Sequence, residues 1–218
     1  MLEALLIALT ISYPILGGFV LSTAILGISP GPDNIFVLTQ SLAHGVKSGL
    51  AVVLGLASGC LVHTTLLAFG VSEIIKRSDT LFWFIKLFGV VYLLYLAFKV
   101  FRSEAQIEIS ASKTFKKAPS KLFWTGFTMN VLNPKVTIFF LAFFPGFLFS
   151  TDMNHVLQFY VLGFLFIAVT LVIFGSIALL SGSISNLVTK NTKAGTILKW
   201  TQILVFVGIA VYLLLSDK

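Results

Sequence analysis

The chain has 218 residues, of which 57% are apolar and only 11% are charged, and its mean hydropathy is +1.02. Soluble domains carry roughly 25% charged residues to cover their surface, so this composition excludes a soluble enzyme, a disordered chain and a coiled coil. The formal net charge is +7, but most of the bases lie in loops between apolar runs, which is typical of membrane topology and not of nucleic-acid binding. The single cysteine, Cys60, excludes an internal disulfide and a cysteine-based zinc site.

The apolar runs predict six membrane-spanning helices, since each is long enough to cross a bilayer. In chain order the runs cover about residues 5–29, 48–71, 81–101, 122–149, 155–180 and 196–216. An amphipathic stretch over 33–44 follows the first run, and a polar stretch over 181–193 precedes the sixth. Because the runs are continuous and do not alternate in polarity, they favour helices over the strands of a barrel.

The distribution of Lys and Arg predicts the orientation of the spans. The loops after spans 1, 3 and 5 carry most of these residues, and the loop over 102–120 contributes the largest share. Loops rich in Lys and Arg remain in the cytoplasm. We therefore expect both termini on the outside.

The span order suggests one transmembrane domain over 1–218, made of two halves over about 1–103 and 120–218. Each half opens with a proline-broken span, at Pro30 and Pro32 in the first half and at Pro134 in the second. Three spans per half would orient the second half opposite to the first. Interrupted spans in corresponding positions of inverted halves are typical of the binding site of a transporter.

The first break combines Pro30, Gly31, Pro32, Asp33 and Asn34. Proline lacks an N–H and clashes with the preceding turn, so carbonyls are freed at the end of one helical piece. Amides and a positive dipole end open the next piece, which we expect Asp33 and Asn34 to cap. Such a break could bind an amino acid or an ion.

The second break, Asn133-Pro134-Lys135, adds a cation. Lys135 has apolar sequence on both sides, and an ionisable residue inside a span costs at least about 2.5–3.5 kcal/mol. It therefore needs a partner, for which Asp33 is the natural candidate, or a water-filled cavity. Asn130 lies about one turn before Asn133, so both amides could face one cavity. The alternative is that the prolines only kink the helices, with Asp33 as a cap and Lys135 near an interface.

His63 lies in the middle of span 2. An imidazole can titrate near neutral pH, so His63 could relay protons across the membrane. A lone histidine more often makes a hydrogen bond to a neighbouring helix, and this alternative stays open.

Small residues recur at four-residue spacing in span 2, at Ala51, Gly55 and Gly59. Such a stripe lets two helices approach closely. The approach could join two copies in a homodimer or two helices of one chain.

The sequence contains no HExxH, GxSxG or P-loop pattern. We therefore expect no enzyme activity and no cofactor or bound metal. A transporter without a nucleotide site would draw its energy from an ion gradient or from the gradient of its substrate.

Two motifs resemble the signatures of the LysE/RhtB family of amino-acid exporters of the homoserine, threonine and lysine efflux type. The first is SPGPDNIFVLTQSLAHGVKSGL over 29–50, followed by GLASGCLVH in span 2, and the second is FTMNVLNPKVTIFFLAFFPGF over 127–147. The segment FIKLFGVVYLLYLAFKVFRS also resembles the third span of that family.

The resemblance implies export of amino acids or their derivatives across the bacterial inner membrane, driven by proton antiport. It also implies that Pro30 to Asp33 and Asn133 to Lys135 are motif positions. Asp33, and less strongly His63, would carry the coupled proton. Some relatives export cadmium, which leaves a metal cation as an alternative cargo, with Cys60, His63 and Asp33 as the candidate ligands. One thiol makes a poor cadmium site.

Overall fold

The computed structural model describes residues 11–29, 31–103, 117–190 and 192–215, and within these ranges every regular element is helical. We number the α-helices as follows: α1 Tyr13–Ile28, α2 Pro32–His44, α3 Val46–Leu66, α4 Ser72–Arg77, α5 Asp79–Arg102, α6 Pro119–Val131, α7 Pro134–Phe143, α8 His155–Leu179, α9 Ser181–Lys190 and α10 Thr192–Leu215. A π-helical turn, Leu67–Val71, joins α3 to α4, and a 3-10 turn, Phe144–Phe147, follows α7.

The helices form six spans, four continuous and two bent. Four helical segments are long and apolar enough to cross a membrane, namely Val46–Ile75, Thr80–Arg102, His155–Leu179 and Gly195–Leu215. The pairs α1–α2 and α6–α7 pass the same test together, with bends of 59° and 53°. The predicted all-α membrane protein with broken spans 1 and 4 is therefore confirmed.

The bends follow from proline at the start of a helical piece. Pro32 and Pro134 both stand in the first turn of their helices, where the missing N–H would have no helical partner anyway. The preceding residues, Gly31 and Asn133, are extended, so the chain changes direction before each proline. Pro30, the other proline of the first break, lies outside the described residues.

The polar stretch before the last span differs from the prediction. No helix is predicted over 181–193, whereas residues 181–190 form α9. The amide of Ile184 donates to the carbonyl of Leu180 at 2.9 Å, so helical hydrogen bonding resumes directly after α8. In and near lipid, a helix satisfies backbone groups that a polar connection would leave open.

The tightest helix contact joins the two halves of the chain. On α3, Gly55 lies against the backbone of Phe123, and on α6, Gly126 lies against the backbone of Val52. A β-carbon at either glycine would overlap main-chain atoms, which cannot swing aside. The small-residue stripe of α3 thus serves packing within the chain, and a homodimer stays a prediction.

The remaining packing also crosses between the halves. Besides α6 on α3, α1 packs on α8 and α10 packs on α5. Lys199 of α10 donates to the carbonyl of Ser103 at 2.7 Å, which satisfies a free carbonyl at the end of α5. The outward faces of α5 and α10 expose large apolar side chains, among them Phe88, Phe98 and Leu204. Such faces suit contact with lipid, while the division into repeats over 1–103 and 120–218 stays a prediction.

Candidate functional site

The two helix breaks lie side by side. The Asn133 side-chain amide donates to Asp33 Oδ2 at 3.3 Å, across a separation of 100 residues. At the same place, a β-carbon added to Gly31 would lie 3.7 Å from Lys135 Nζ. The tertiary structure therefore brings together the polar residues of both predicted breaks.

In the first break, Asp33 and Asn34 do not cap α2 as predicted. Asp33 and Asn34 were expected to cap α2, but the N-cap is Gly31 and it makes no side-chain cap. Asn34 Nδ2 instead donates to the carbonyl of Gly27 at 2.7 Å. A freed carbonyl in an apolar interior needs a donor, and the Asn34 amide supplies one. Asp33 reaches across to the second break.

In the second break, Pro134 determines the hydrogen bonds. Because Pro134 has no N–H, the carbonyl of Asn130 loses its helical partner four residues on. That oxygen accepts from the Asn133 amide at 3.1 Å and lies 3.2 Å from His63 Nε2. A carbonyl can only accept a hydrogen bond, so Nε2 of His63 carries a proton in this contact. The Asn133 side chain in turn caps α7, accepting from the Lys135 amide at 3.0 Å.

A cavity of about 70 Å³ lies where the breaks meet, and we call it the central cavity. One ordered water needs roughly 10–15 Å³, so there is room for a molecule of several heavy atoms. The polar and small residues on its wall are Thr23, Gly27, Ser29, Gly31, Pro32, Asp33, Asn34, Cys60, Asn130, Asn133, Lys135 and Thr170. Its apolar wall is formed by Leu26, Leu56, Val136, Phe139, Phe166, Val169 and Phe174.

Three buried polar atoms on this wall have no hydrogen-bond partner in the described part of the chain. They are Thr23 Oγ1, Asp33 Oδ1 and Asn130 Oδ1. Leaving a buried polar group unpaired costs about 1–3 kcal/mol. Three such groups from three helices, facing one cavity, are typical of a site whose partner is a ligand.

Lys135 also lines the cavity but does not form the direct pair considered in the sequence analysis. Among the described residues, no Asp33–Lys135 contact falls within ion-pair distance. Asp33 bonds to Asn133 instead, and Lys135 Nζ lies 5.3 Å from the ring centroid of Phe206. The opposite charges therefore share a cavity without neutralising each other through contact, so both remain available to a ligand.

The metal-binding alternative gains no support from the geometry. Within the described ranges, no three His, Cys, Asp or Glu side chains are grouped to hold a metal ion. Cys60 Sγ donates to the carbonyl of Leu56 at 3.4 Å, and His63 bonds to the Asn130 carbonyl. Two of the three candidate ligands are thus engaged with backbone.

Sequence reasoning missed several residues of the cavity wall. Thr23 and Thr170 are hydroxyls inside apolar runs, and Cys60 was considered only as a candidate metal ligand. Thr23 could have been found, because it is a polar residue in a span and stands ten residues before Asp33. The aromatic wall at Phe139 and Phe166 carries no sequence signal, since phenylalanine is common throughout the chain.

A column of aromatic rings begins at the central cavity, where Phe139 forms part of the wall. Phe139, Phe143 and Phe147 follow one face of α7 and the 3-10 turn, with successive ring centroids 4.3 Å apart. Phe19 of α1 packs on Phe143 at 5.4 Å. A second pocket of about 570 Å³, the distal pocket, has Ser12, Ile75, Phe149 and His155 in its wall, together with Leu148, the residue after Phe147. The column therefore runs from the wall of the central cavity to the chain segment that lines the distal pocket.

Comparison with known proteins places the chain in a family. The sequence model of the LysE type translocator family matches residues 24–217. The chain is 31% identical to the leucine efflux protein of Klebsiella pneumoniae, over 83% of this chain and 85% of that protein. It is 29% identical to the homoserine/homoserine lactone efflux protein of Salmonella typhimurium, over 77% of this chain and 80% of that protein.

A third relative is the uncharacterized membrane protein YrhP of Bacillus subtilis. It is 32% identical over 57% of this chain and 63% of its own length. No solved structure matches the chain. With six spans, two bent at their prolines, and a family match that covers both breaks, the chain belongs to the LysE type translocator family.

Proposed function

We propose that this protein exports a small amino acid from the bacterial cytoplasm by proton antiport. The observation that carries the proposal is the central cavity, where an anionic and a cationic side chain face one space together with unpaired polar atoms. A zwitterion complements such a site at both ends. The relatives named for leucine and homoserine efflux agree with a small amino acid as cargo.

The cavity suggests how the cargo would be oriented. Its ammonium group would donate to Asp33 Oδ1 and Asn130 Oδ1, two acceptors without a partner among the described residues. Its carboxylate would be held by Lys135 and by the amides that open α2, where the helix dipole is positive. Gly31 leaves the backbone accessible at this point. The substrate side chain would then extend towards the apolar wall.

Asp33 would also carry the proton that couples transport to the gradient. Protonation of Asp33 removes the negative charge that attracts the cargo ammonium, so a proton arriving from outside would favour release. His63 is the weaker candidate, because its Nε2 proton is engaged with the Asn130 carbonyl. The site residues that we propose for the substrate are those of the two breaks: Pro30, Gly31, Pro32, Asp33, Asn34, Asn130, Asn133, Pro134 and Lys135.

The orientation is part of the proposal. The charge distribution favours cytoplasmic loops after spans 1, 3 and 5, with both termini outside the inner membrane. The distal pocket is lined by the start of α1, by Ile75 of α4 and Phe82 of α5, and by the α7–α8 connection, so in this orientation it would face outward. The aromatic column would then be the barrier on the outer side of the cargo.

The test is transport by the purified protein in proteoliposomes with an imposed pH gradient. For Asp33→Asn we expect amino-acid exchange, at reduced affinity, but no response to the pH gradient. For Lys135→Ala we expect the response to remain and the affinity to fall by about tenfold or more, since a hydrogen bond to a charged group contributes about 1.5–3 kcal/mol.

Matched controls come from exposed residues of the same types. Asp152 lies in a loop and Lys121 in the first turn of α6, and both are exposed, so Asp152→Asn and Lys121→Ala should transport as the wild type does. If Asp33→Asn and Lys135→Ala also transport at the wild-type rate at equal protein amounts, the site assignment is wrong. If the wild-type protein moves no amino acid, the proposed function itself is wrong.

A further inference from the structure

We propose that Thr23 determines side-chain specificity, by donating or accepting a hydrogen bond with an oxygen on the side chain of the cargo. The inference rests on the proposed function and concerns the part of the central cavity wall that α1 provides. It assigns the preferred cargo to amino acids with a hydroxyl beyond the β-carbon.

The Thr23 hydroxyl behaves differently from most buried helical hydroxyls in the described part of the chain; Ser72 Oγ also lacks a partner there, but Ser72 does not line the central cavity. Serine and threonine inside helices usually donate to the carbonyl four residues earlier. Buried examples here are Ser41 to Val37 at 2.8 Å and Thr64 to Cys60 at 2.8 Å. Thr23 has a helical carbonyl at the same spacing, yet its Oγ1 has no partner among the described residues.

The environment of Thr23 makes this state costly unless a ligand uses the hydroxyl. The residue is 2% exposed and lies on the cavity wall together with apolar residues such as Leu26, Phe139 and Phe166. A hydroxyl buried in an apolar environment without a hydrogen bond is unfavourable. A valine would fill the same volume without this penalty, so the structure itself gives Thr23 no role.

The position of Thr23 matches the side chain of a bound amino acid. Thr23 of α1 stands six residues before Ser29, the C-cap of that helix, which is about 9 Å along the helix axis. Ser29 lies at the level of the break and lines the same cavity. A short amino acid and two hydrogen bonds can bridge this distance. With the ammonium at Asp33 and Asn130, the side chain would reach towards Thr23.

An unpaired Thr23 hydroxyl would let the site discriminate between cargoes with and without a side-chain hydroxyl. A site built to hydrogen-bond a hydroxyl of the substrate rejects an analogue that lacks it, because the protein group is then left unsatisfied. Homoserine and norvaline form a suitable pair, since they differ by a hydroxyl in place of a methyl group. Thr23→Val likewise replaces a hydroxyl by a methyl group, here on the protein.

The experiment combines the change of cargo, from homoserine to norvaline, with the substitution Thr23→Val in a thermodynamic cycle. Homoserine and norvaline compete with a labelled amino acid for exchange by wild-type and Thr23→Val protein in proteoliposomes. We expect Thr23→Val to weaken competition by homoserine about five- to tenfold, the size of one hydrogen bond. Competition by norvaline should stay the same or improve.

Thr64→Val is the matched control, because its hydroxyl is bonded within its own helix. This variant should leave the ratio of competition by homoserine to competition by norvaline unchanged. An unchanged homoserine-to-norvaline ratio in Thr23→Val overturns the inference, as does an equal loss for both competitors. If neither compound competes and no amino acid is exchanged by the wild type, the proposed function fails as well, so the two failures can be told apart.

Discussion

Gly59 offers a test of how the fold holds the central cavity in shape. It lies on α3 against Asn130 of α6, and a β-carbon at Gly59 would lie 2.7 Å from Asn130 Oδ1 and 2.8 Å from Asn130 Cβ. Ordinary contacts begin at about 3.4 Å, so Gly59→Ala requires a displacement of several tenths of an ångström. Because Asn130 Cβ is fixed to the helix, rotating the side chain cannot provide it, and α6 must move.

The size of the effect follows from two opposing terms. Overpacking a well-packed interior costs about 1–3 kcal/mol. Replacing glycine by alanine inside a helix gains about 1 kcal/mol in helix propensity. Gly208→Ala on α10 measures the gain in helix propensity alone, because a β-carbon there meets nothing within 4 Å. Gly59→Ala should therefore be about 1–3 kcal/mol less stable than Gly208→Ala.

The assay is thermal unfolding in detergent together with amino-acid exchange in proteoliposomes. We expect Gly208→Ala to match the wild type or exceed it in stability, with normal exchange. Gly59→Ala should unfold at a lower temperature and bind its cargo more weakly, since Asn130 is displaced on the cavity wall. Equal unfolding temperatures and equal affinities for the two variants would refute the close packing of α3 on α6 at this level.

Two other residues near the cavity give further predictions. Phe143→Ala should open the aromatic column, so that Cys60 on the cavity wall reacts with a membrane-impermeant thiol reagent added on the distal-pocket side. Phe164→Ala, at a side chain that is 59% exposed, should leave Cys60 protected, and equal labelling of the two variants would contradict the barrier. His63→Gln should keep the response to a pH gradient, because the Gln amide can donate to the Asn130 carbonyl, whereas His63→Leu should lower stability by about 0.5–1.5 kcal/mol. Loss of the pH response in His63→Gln, with exchange intact, would assign the coupling proton to His63.

Much of the fold could be predicted from the sequence, because membrane spans and their bends depend on residues that are close together in the chain. The length of each apolar run determined the six spans, and Pro32 and Pro134 determined where two of them bend. The polar stretch over 181–190 was the exception. Its composition suggested a connection, but the need to satisfy the backbone after Leu180 makes it a helix.

The candidate site could be predicted only in part. The sequence placed Asp33, Asn133 and Lys135 at breaks, and the expectation that the breaks meet depended on the inverted arrangement of the halves. It could not show that Asn34 bonds to Gly27, or that Asp33 contacts Asn133 and not Lys135. Each of these choices is a competition between partners at similar distances, which side-chain geometry resolves.

By itself the sequence determined that this chain crosses the membrane six times, where its helices break and which charges lie at the breaks. These properties follow from residues that are neighbours in the chain. Only the tertiary structure decided that Thr23, Asp33 and Asn130 face one cavity with unpaired atoms, because they lie on three different helices. The close approach of α3 to α6 at Gly55, Gly59 and Gly126 determines where Asn130 lies on that cavity wall.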